Sequence, residues 1–412
     1  MGHGVVLIML LAGMLPSWPI GAAMSAHALP AAQSGKEAVI VEVARGDNPQ
    51  AVARALGVVP THVYTEVFQG FAAELPAAAV RVAERQRGVG RIWPDLPVQA
   101  EAQTLPRGVN RVDADENPWA DINGGGDGID ADVAVLDTGI AKHPDLTIAG
   151  GKSCVGKSYA DGNGHGTHVA GTIAAKDNDD GVVGVAPGAR LWAVKVLDNK
   201  GVGRISSVIC GLDWVYKRRA DIDVVNMSVS AGAKPNDQNP CGGGEATPLH
   251  RAICKVVDAG VTVVVAAGNE HVDAANRVPA TYDEVITVSA FTDLDGEPGG
   301  NGDSACTKDA DDTFAAFSNF GQDIDIAAPG VCIRSTWRNG KYQSLDGTSM
   351  ATPHVTGAVA LYIAKGPGPG TPADVRAWLL TEFSRPQDSD YGFDGDPDPY
   401  PEPVLYLGLG PP

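Results

Sequence analysis

Three side chains that together can make a nucleophile stand in this chain in the order carboxylate, imidazole, hydroxyl. Asp137 closes Asp132-Val133-Ala134-Val135-Leu136-Asp137-Thr138-Gly139. His165 lies in Asn163-Gly164-His165-Gly166-Thr167-His168-Val169-Ala170-Gly171-Thr172, and Ser349 in Gly347-Thr348-Ser349-Met350-Ala351-Thr352-Pro353-His354-Val355. A serine hydroxyl is a weak nucleophile until a neighbouring base takes its proton, and that base needs a carboxylate to fix its tautomer and steady the imidazolium. With such partners, the chemistry open to the serine is acyl transfer through a covalent intermediate.

Each group sits at the mouth of an element able to hold it. From Thr352 to Ala364 the residues are almost all apolar or small, the pattern of a helix buried on every side. Ser349 opens that helix, where unpaired N–H groups and the helix dipole favour developing negative charge. A serine before a helix is ordinarily only an N-cap; the distant Asp and His set this one apart. Asp137 ends an apolar strand before a Gly turn, the place where open α/β sheets present ligand-binding groups. Apolar strands and helices then alternate: helix from His165, strand 191–196, helix 206–217, strand 223–227, helix 249–259, strands 261–267 and 285–290, and the Ser349 helix. This predicts an α/β fold, a mostly parallel sheet with helices on both faces and the sites at the strands' carboxyl ends.

The motifs DTG at Asp137, HGTHVAGT at His165 and GTSMATPHV at Ser349 resemble those of the subtilases, the family of subtilisin and proteinase K, from about Pro106 to Leu380. Asp, His, Ser is also the chain order of subtilisin. The resemblance implies a secreted serine endopeptidase in which Ser349 attacks the scissile carbonyl, His165 serves as base and then acid, and Asp137 orients His165. It implies that Asn269, just past the apolar strand 263–267, donates with the Ser349 backbone N–H to the oxyanion. Such a fixed donor is worth about 3 to 4 kcal/mol. Ser349 lies in Gly-Thr-Ser-Met-Ala, which excludes the G-x-S-x-G elbow of lipase-type esterases.

The resemblance further implies that substrate backbone pairs with Gly201-Val202-Gly203 and Ser228-Val229-Ser230, by the strand-addition mode. Ser230 stands where family members commonly carry Gly, a departure at the mouth of the S1 pocket. Pro279 follows Asn269 by ten residues, as in proteinase K-like members. This places Arg277 near the base of S1, where a cation would favour acidic P1 residues; the other placement is towards solvent.

A structural Ca²⁺ is implied by Asp145 together with the loop Lys176-Asp177-Asn178-Asp179-Asp180-Gly181-Val182. The ligands would be the Asp145 carboxylate, the Asn178 side chain and the carbonyls of Lys176, Asp180 and Val182, with Gln103 a possible further one. Ca²⁺ takes six to eight such oxygens. The competing reading is an acidic, solvated turn.

The 412 residues carry 31 Lys and Arg against 50 Asp and Glu, a net charge of −19, which argues against a nucleic-acid surface. The apolar run Val5–Leu15 is too short to span a bilayer, and with the small-residue site Ala26-His27-Ala28 it reads as a signal peptide over 1–28, although its first residues lack Lys and Arg. Residues 36–100 predict a small α+β, ferredoxin-like module. It resembles the family's inhibitory propeptide, cut between Val98 and Leu105; a free-standing ferredoxin-like domain is the alternative. The peptidase domain is expected over 104–385 and a Pro/Asp-rich tail over 386–412, in which Pro403-Val404-Leu405-Tyr406-Leu407 suggests a last strand or clamp. The protein expected after processing is a monomer without a membrane anchor, with protein and peptide substrates and its own propeptide as partners.

Six cysteines in a secreted chain favour disulfides, with 15 possible pairings. Nearness in sequence favours Cys241 with Cys254 and Cys306 with Cys332. Elimination leaves Cys154 with Cys210, unless Cys210, inside a predicted helix, is a free buried thiol.

Overall fold

The computed structural model describes residues 36–95, 103–125, 128–232, 241, 246–303, 306–366, 368 and 370–408. The expected signal segment and most of the expected cleavage region lie outside them. The chain divides into two compact units, one ending at Ala100 and one beginning at Glu101.

In the first unit the apolar alternation of β1 (Lys36–Val43) buries Val39, Val41 and Val43 against Phe71 and Leu75 of β3 (Gly70–Pro76). Strands β2 (His62–Tyr64) and β4 (Val89–Pro94) complete an antiparallel sheet of order β2-β3-β1-β4. Helix α1 (Pro49–Ala55) starts where the Asn48 side chain accepts the Ala51 N–H, with Pro49 in the first turn where no donor is needed. Val52 of α1 and Ala83 of α2 (Ala77–Ala83) close the core. The result is the expected α+β module.

The second unit begins with the short α3 (Arg107–Arg111) and is built on one sheet. Its central strands are β5 (Asp132–Asp137), β7 (Arg190–Lys195), β8 (Val224–Met227), β10 (Thr262–Ala266) and β12 (Ile286–Thr292). The sequence DVAVLD of β5 is buried at every position, as a strand covered on both faces must be. The full order is β17-β18-β14-β12-β10-β8-β5-β7-β6, with β6 (Ile148–Ser153) at one edge and β14 (Ile326–Pro329), β18 (Val404–Leu405) and β17 (Ser384–Arg385) at the other. All pairs on this path are parallel except β17 with β18, and the short β13 (Thr313–Phe314) lies antiparallel on β12.

Helices α4 (His165–Ala174) and α7 (Thr348–Lys365) pack in one core with Val133, Val135 and Val288, whereas α5 (Ile205–Lys217) and α6 (Pro248–Val257) pack in a second with Ala134, Leu136 and Val265. Neighbouring residues of β5 thus face opposite cores, the period-two rule that puts helices on both sides. Helix α8 (Pro372–Glu382) follows α7. Beyond it, the segment expected as a tail belongs to the second unit: β18 pairs with β14, and Phe393 stacks on Phe291 with centroids 5.4 Å apart. Within Pro403–Leu407 the strand is confined to Val404–Leu405.

The three disulfides are Cys154–Cys210, Cys241–Cys254 and Cys306–Cys332, with Cα–Cα distances of 6.0, 5.7 and 6.2 Å, so Cys210 is not a free thiol. Among the described residues no helix is long and apolar enough to cross a membrane.

Candidate active site

Asp137, the last residue of β5, is fully buried, and its two carboxylate oxygens lie 2.8 and 2.9 Å from His165 Nδ1. Helix α4 carries His165 at its first position, and the turn before it can be made only by glycine: Gly164 has φ +122°, and a Cβ there would meet the Trp337 ring at 2.3 Å. Burial pushes the His165 pKa down, but the charge and hydrogen bond of Asp137, aided by Asp161, push it up by more. The net pKa lies above the usual histidine value.

Asp161 organises this corner, which sequence reasoning missed. Its Oδ1 accepts the Thr138 hydroxyl and the N–H groups of Asn163 and Gly164, and its Oδ2 accepts the N–H and hydroxyl of Thr167. A carboxylate four residues before the His helix was the available signal, since Asp in that place satisfies orphan donors of the first turn. His168, one turn after His165, donates from Nε2 to the carbonyls of Ile333 and Gln343, and burial, with His165 adding, pushes its pKa down to about 3. His168 is therefore a neutral packing group.

Ser349 occupies the second position of α7 and is tied to the end of β8. Its Oγ donates to the Ser228 carbonyl at 3.4 Å, and Ser228 Oγ donates back to the Ser349 carbonyl at 3.0 Å. Behind them, Thr356 of α7 donates to Asn226 Oδ1, and Asn226 Nδ2 donates to Ser228 Oγ. Ser349 Oγ makes no hydrogen bond to His165 in this structure, a looseness common in sites without substrate.

Asn269 follows β10, and its amide orientation is fixed by chemistry. The Thr348 backbone N–H can only donate, and it meets Asn269 Oδ1 at 2.8 Å, joined by the Thr348 hydroxyl at 2.9 Å. Asn269 Nδ2 is thereby left as the free donor. Fully buried Asn319 braces the loop around it, accepting the N–H groups of Glu270 and Val272 and donating to the Ala267 carbonyl. Neither Thr348 nor Asn319 stood out in sequence, because their roles lie in contacts between distant segments.

A cleft of about 550 Å³ runs past His165 and is lined by Gly201, Val202, Gly203, Ser228, Val229 and Ser230, with Leu249, Val278 and Pro279 among its other walls. Both expected substrate segments therefore meet here. Arg277 does not join them. In β11 (Arg277–Val278) adjacent side chains point to opposite faces, and Val278 faces the cleft. Arg277 Nε instead lies 3.2 Å from Glu270 Oε2, in an ion pair whose two side chains are both partly exposed.

The expected calcium residues also converge. Asp145 is 1% exposed, and among the described residues its carboxylate is met only by neutral donors: Asn178 Nδ2 at 3.3 Å, the Val182 N–H at 3.2 Å and the Tyr342 hydroxyl at 2.8 Å. Gln103 bridges the loop, its Nε2 donating to the Lys176 carbonyl and its Oε1 accepting from Asn178 and Asp179 N–H. Asp180 contributes its N–H, donated to Asn178 Oδ1. A buried carboxylate without a cationic partner fits an ion, whereas the Asn178 amide would have to turn its oxygen towards Asp145 to ligate one.

Comparisons with known proteins give the family. Residues 128–395 match the family model described as "Subtilase family". The chain is 38% identical over 339 residues to a thermostable alkaline protease of Halalkalibacterium halodurans, covering 82% of this chain and 84% of that protein. It is 41% identical over 272 residues to subtilisin DY of Bacillus licheniformis, covering 65% and 87%. The crystal structure of a cold adapted subtilisin-like serine proteinase superposes with a TM-score of 0.54 at 31% identity, over 70% of this chain and 92% of that one. On the strength of these matches, the chain belongs to the subtilase family of serine endopeptidases.

Proposed function

We propose that this endopeptidase works through Ser349, His165 and Asp137 with Asn269 as oxyanion donor, and that it is secreted as a precursor inhibited by its own residues 36–100 until self-cleavage frees it. The observation that carries the reading is the contact of His165 Nδ1 with both oxygens of buried Asp137 beside the cleft. When a peptide pairs with Gly201–Gly203 and Ser228–Ser230, Ser349 Oγ turns from the Ser228 carbonyl to His165 Nε2. His165 takes its proton as Oγ bonds to the carbonyl carbon, and the oxyanion is met by Asn269 Nδ2 and the Ser349 N–H. The C–N bond then breaks with the His165 proton passing to the amine. Water, deprotonated by the same imidazole, cleaves the ester and restores Ser349.

A pH profile of kcat/KM for a peptide anilide tests this reading. Only neutral His165 can act as base, so the rate should be low in acid and rise through a midpoint above the ordinary histidine pKa of about 6.5. A rate independent of pH from 5 to 9 would contradict it. With Arg277 drawn to Glu270 and Leu249, Val278 and Pro279 on the walls, no preference for acidic P1 residues is expected.

A structural Ca²⁺ held by Asp145, Asn178 and carbonyls of the 176–182 loop is the second part of the proposal. Bound there it would offset the Asp145 charge and brace the loop. An ion that binds only the folded state stabilises it by about 2.7 kcal/mol at one hundred times its Kd. Chelation should therefore lower the melting temperature of the inhibited enzyme, added Ca²⁺ should restore it, and Asp145→Ala should diminish the response. Equal melting with and without Ca²⁺ after verified metal removal would rule out a stabilising ion.

A further inference from the structure

The proline-rich strand that returns to the sheet carries an unbalanced group of carboxylates. Glu402 is 1% exposed; its Oε2 is paired with the Ser289 hydroxyl, and among the described residues its Oε1 has no partner. Asp398 Oδ2 is likewise buried and unpartnered among the described residues, while its Oδ1 accepts the Tyr400 N–H at 2.7 Å. Asp396 stands next to both and accepts the Asp398 N–H at 3.3 Å. Among the described residues none of the three makes an ion pair. The buried acidic group around Asp293 differs, because Arg111 lies 3.1 Å from Asp293 and 3.0 Å from Asp312.

The backbone adds to the imbalance. Pro397, Pro399, Pro401 and Pro403 remove the N–H at every second position, so this stretch offers twice as many carbonyl acceptors as amide donors. A cavity of about 620 Å³, lined by Gln387, Asp394, Asp396 and Asp398 with the flanking prolines, opens beside it. Buried oxygens in excess of donors and without a protein cation describe a receptor for a hard cation.

We propose that segment 394–403 binds a divalent, oxygen-seeking cation of the Ca²⁺ class, with Glu402 Oε1 and Asp398 Oδ2 as its carboxylate ligands. The three carboxyl groups do not all come within 4.8 Å of one another. Asp396 therefore acts as a nearby charge, and backbone carbonyls and water complete the shell. The ion would fasten β18 to the edge of the sheet, since Glu402 precedes that strand by two residues and its other oxygen already holds Ser289 of β12. A proton on Glu402 is the competing way to remove the charge.

The test uses the full-length Ser349→Ala chain, stripped by a chelator and titrated with Ca²⁺ by calorimetry, with melting followed in parallel. Glu402→Gln, which keeps a partner for Ser289, should lower the stoichiometry by one ion and shrink the Ca²⁺-dependent rise in melting temperature. Asp398→Asn should do the same, and both losses should persist in an Asp145→Ala background, which separates this site from the loop at Asp145. Unchanged stoichiometry in a folded Glu402→Gln protein would overturn the proposal. So would a Glu402→Gln protein that melts higher than its parent without Ca²⁺ while neither gains from the ion, the mark of a buried acid. If Glu402→Gln does not fold, Asp398→Asn decides by the same stoichiometry.

Discussion

Ser349→Ala is expected to lower kcat for a peptide substrate by about 10⁶-fold, the size of loss found when subtilisin itself is stripped of its nucleophile. The fall is this large because no covalent intermediate can form, so His165 and Asp137 lose the group they activate. What remains, about 10³ to 10⁴ over water, comes from substrate binding and from the Asn269 and Ser349 N–H donors. The same substitution should leave the precursor uncut between Val98 and Leu105, seen as a single band retaining residues 36–100. A variant that loses peptide hydrolysis yet is processed at the normal rate would retain the triad and refute self-cleavage.

Asp137→Asn is expected to cost about 10⁴-fold in kcat with little change in KM. The fully buried carboxylate accepts from His165 Nδ1 with both oxygens. An amide there can present its own N–H to Nδ1, favouring the tautomer with the proton on Nε2, where it cannot accept from Ser349. The substitution also removes the charge that lifts the His165 pKa against burial. The acid limb of the pH profile should therefore move to lower pH while the plateau falls. A plateau within tenfold of the parent, or an acid limb that stays in place, would show that Asp137 does not act through His165.

How far the sequence speaks for the molecule depends on whether the information is local. β5, β8, β10 and β12 are legible because strands buried on both faces must be almost continuously apolar, and α7 because a run of thirteen almost wholly small or apolar residues leaves little alternative. β14 was not foreseen: IAAP is four residues long, ends in proline and has no alternation to read. The hairpin of β15 (Ile333–Trp337) and β16 (Lys341–Leu345) escaped for another reason, since β16 is largely exposed and polar.

The site divides in the same way. Asp137, His165 and Ser349 lie in motifs whose meaning is carried by their immediate neighbours. Arg277 depended on a spacing that says nothing about which way the side chain turns. That was decided by the strand's alternation and by Glu270, seven residues earlier. Thr348 and Asn319 act by bonds between segments far apart in sequence, whereas most of the bonds of Asp161 lie within six residues of it; the unpartnered oxygens of Glu402 and Asp398 become visible only once the last strand is laid on the sheet.

The central claim is that Ser349 is the activated nucleophile, and active-site labelling tests it most directly. Mature protein treated with a peptidyl phosphonate or a sulfonyl fluoride, then digested and mapped by mass spectrometry, should carry one equivalent of label on the peptide containing Gly347-Thr348-Ser349-Met350. Activity should fall in step with labelling, and brief exposure to a chelator beforehand should not prevent it. Label found on another residue, or full inactivation with Ser349 unmodified, would contradict the account.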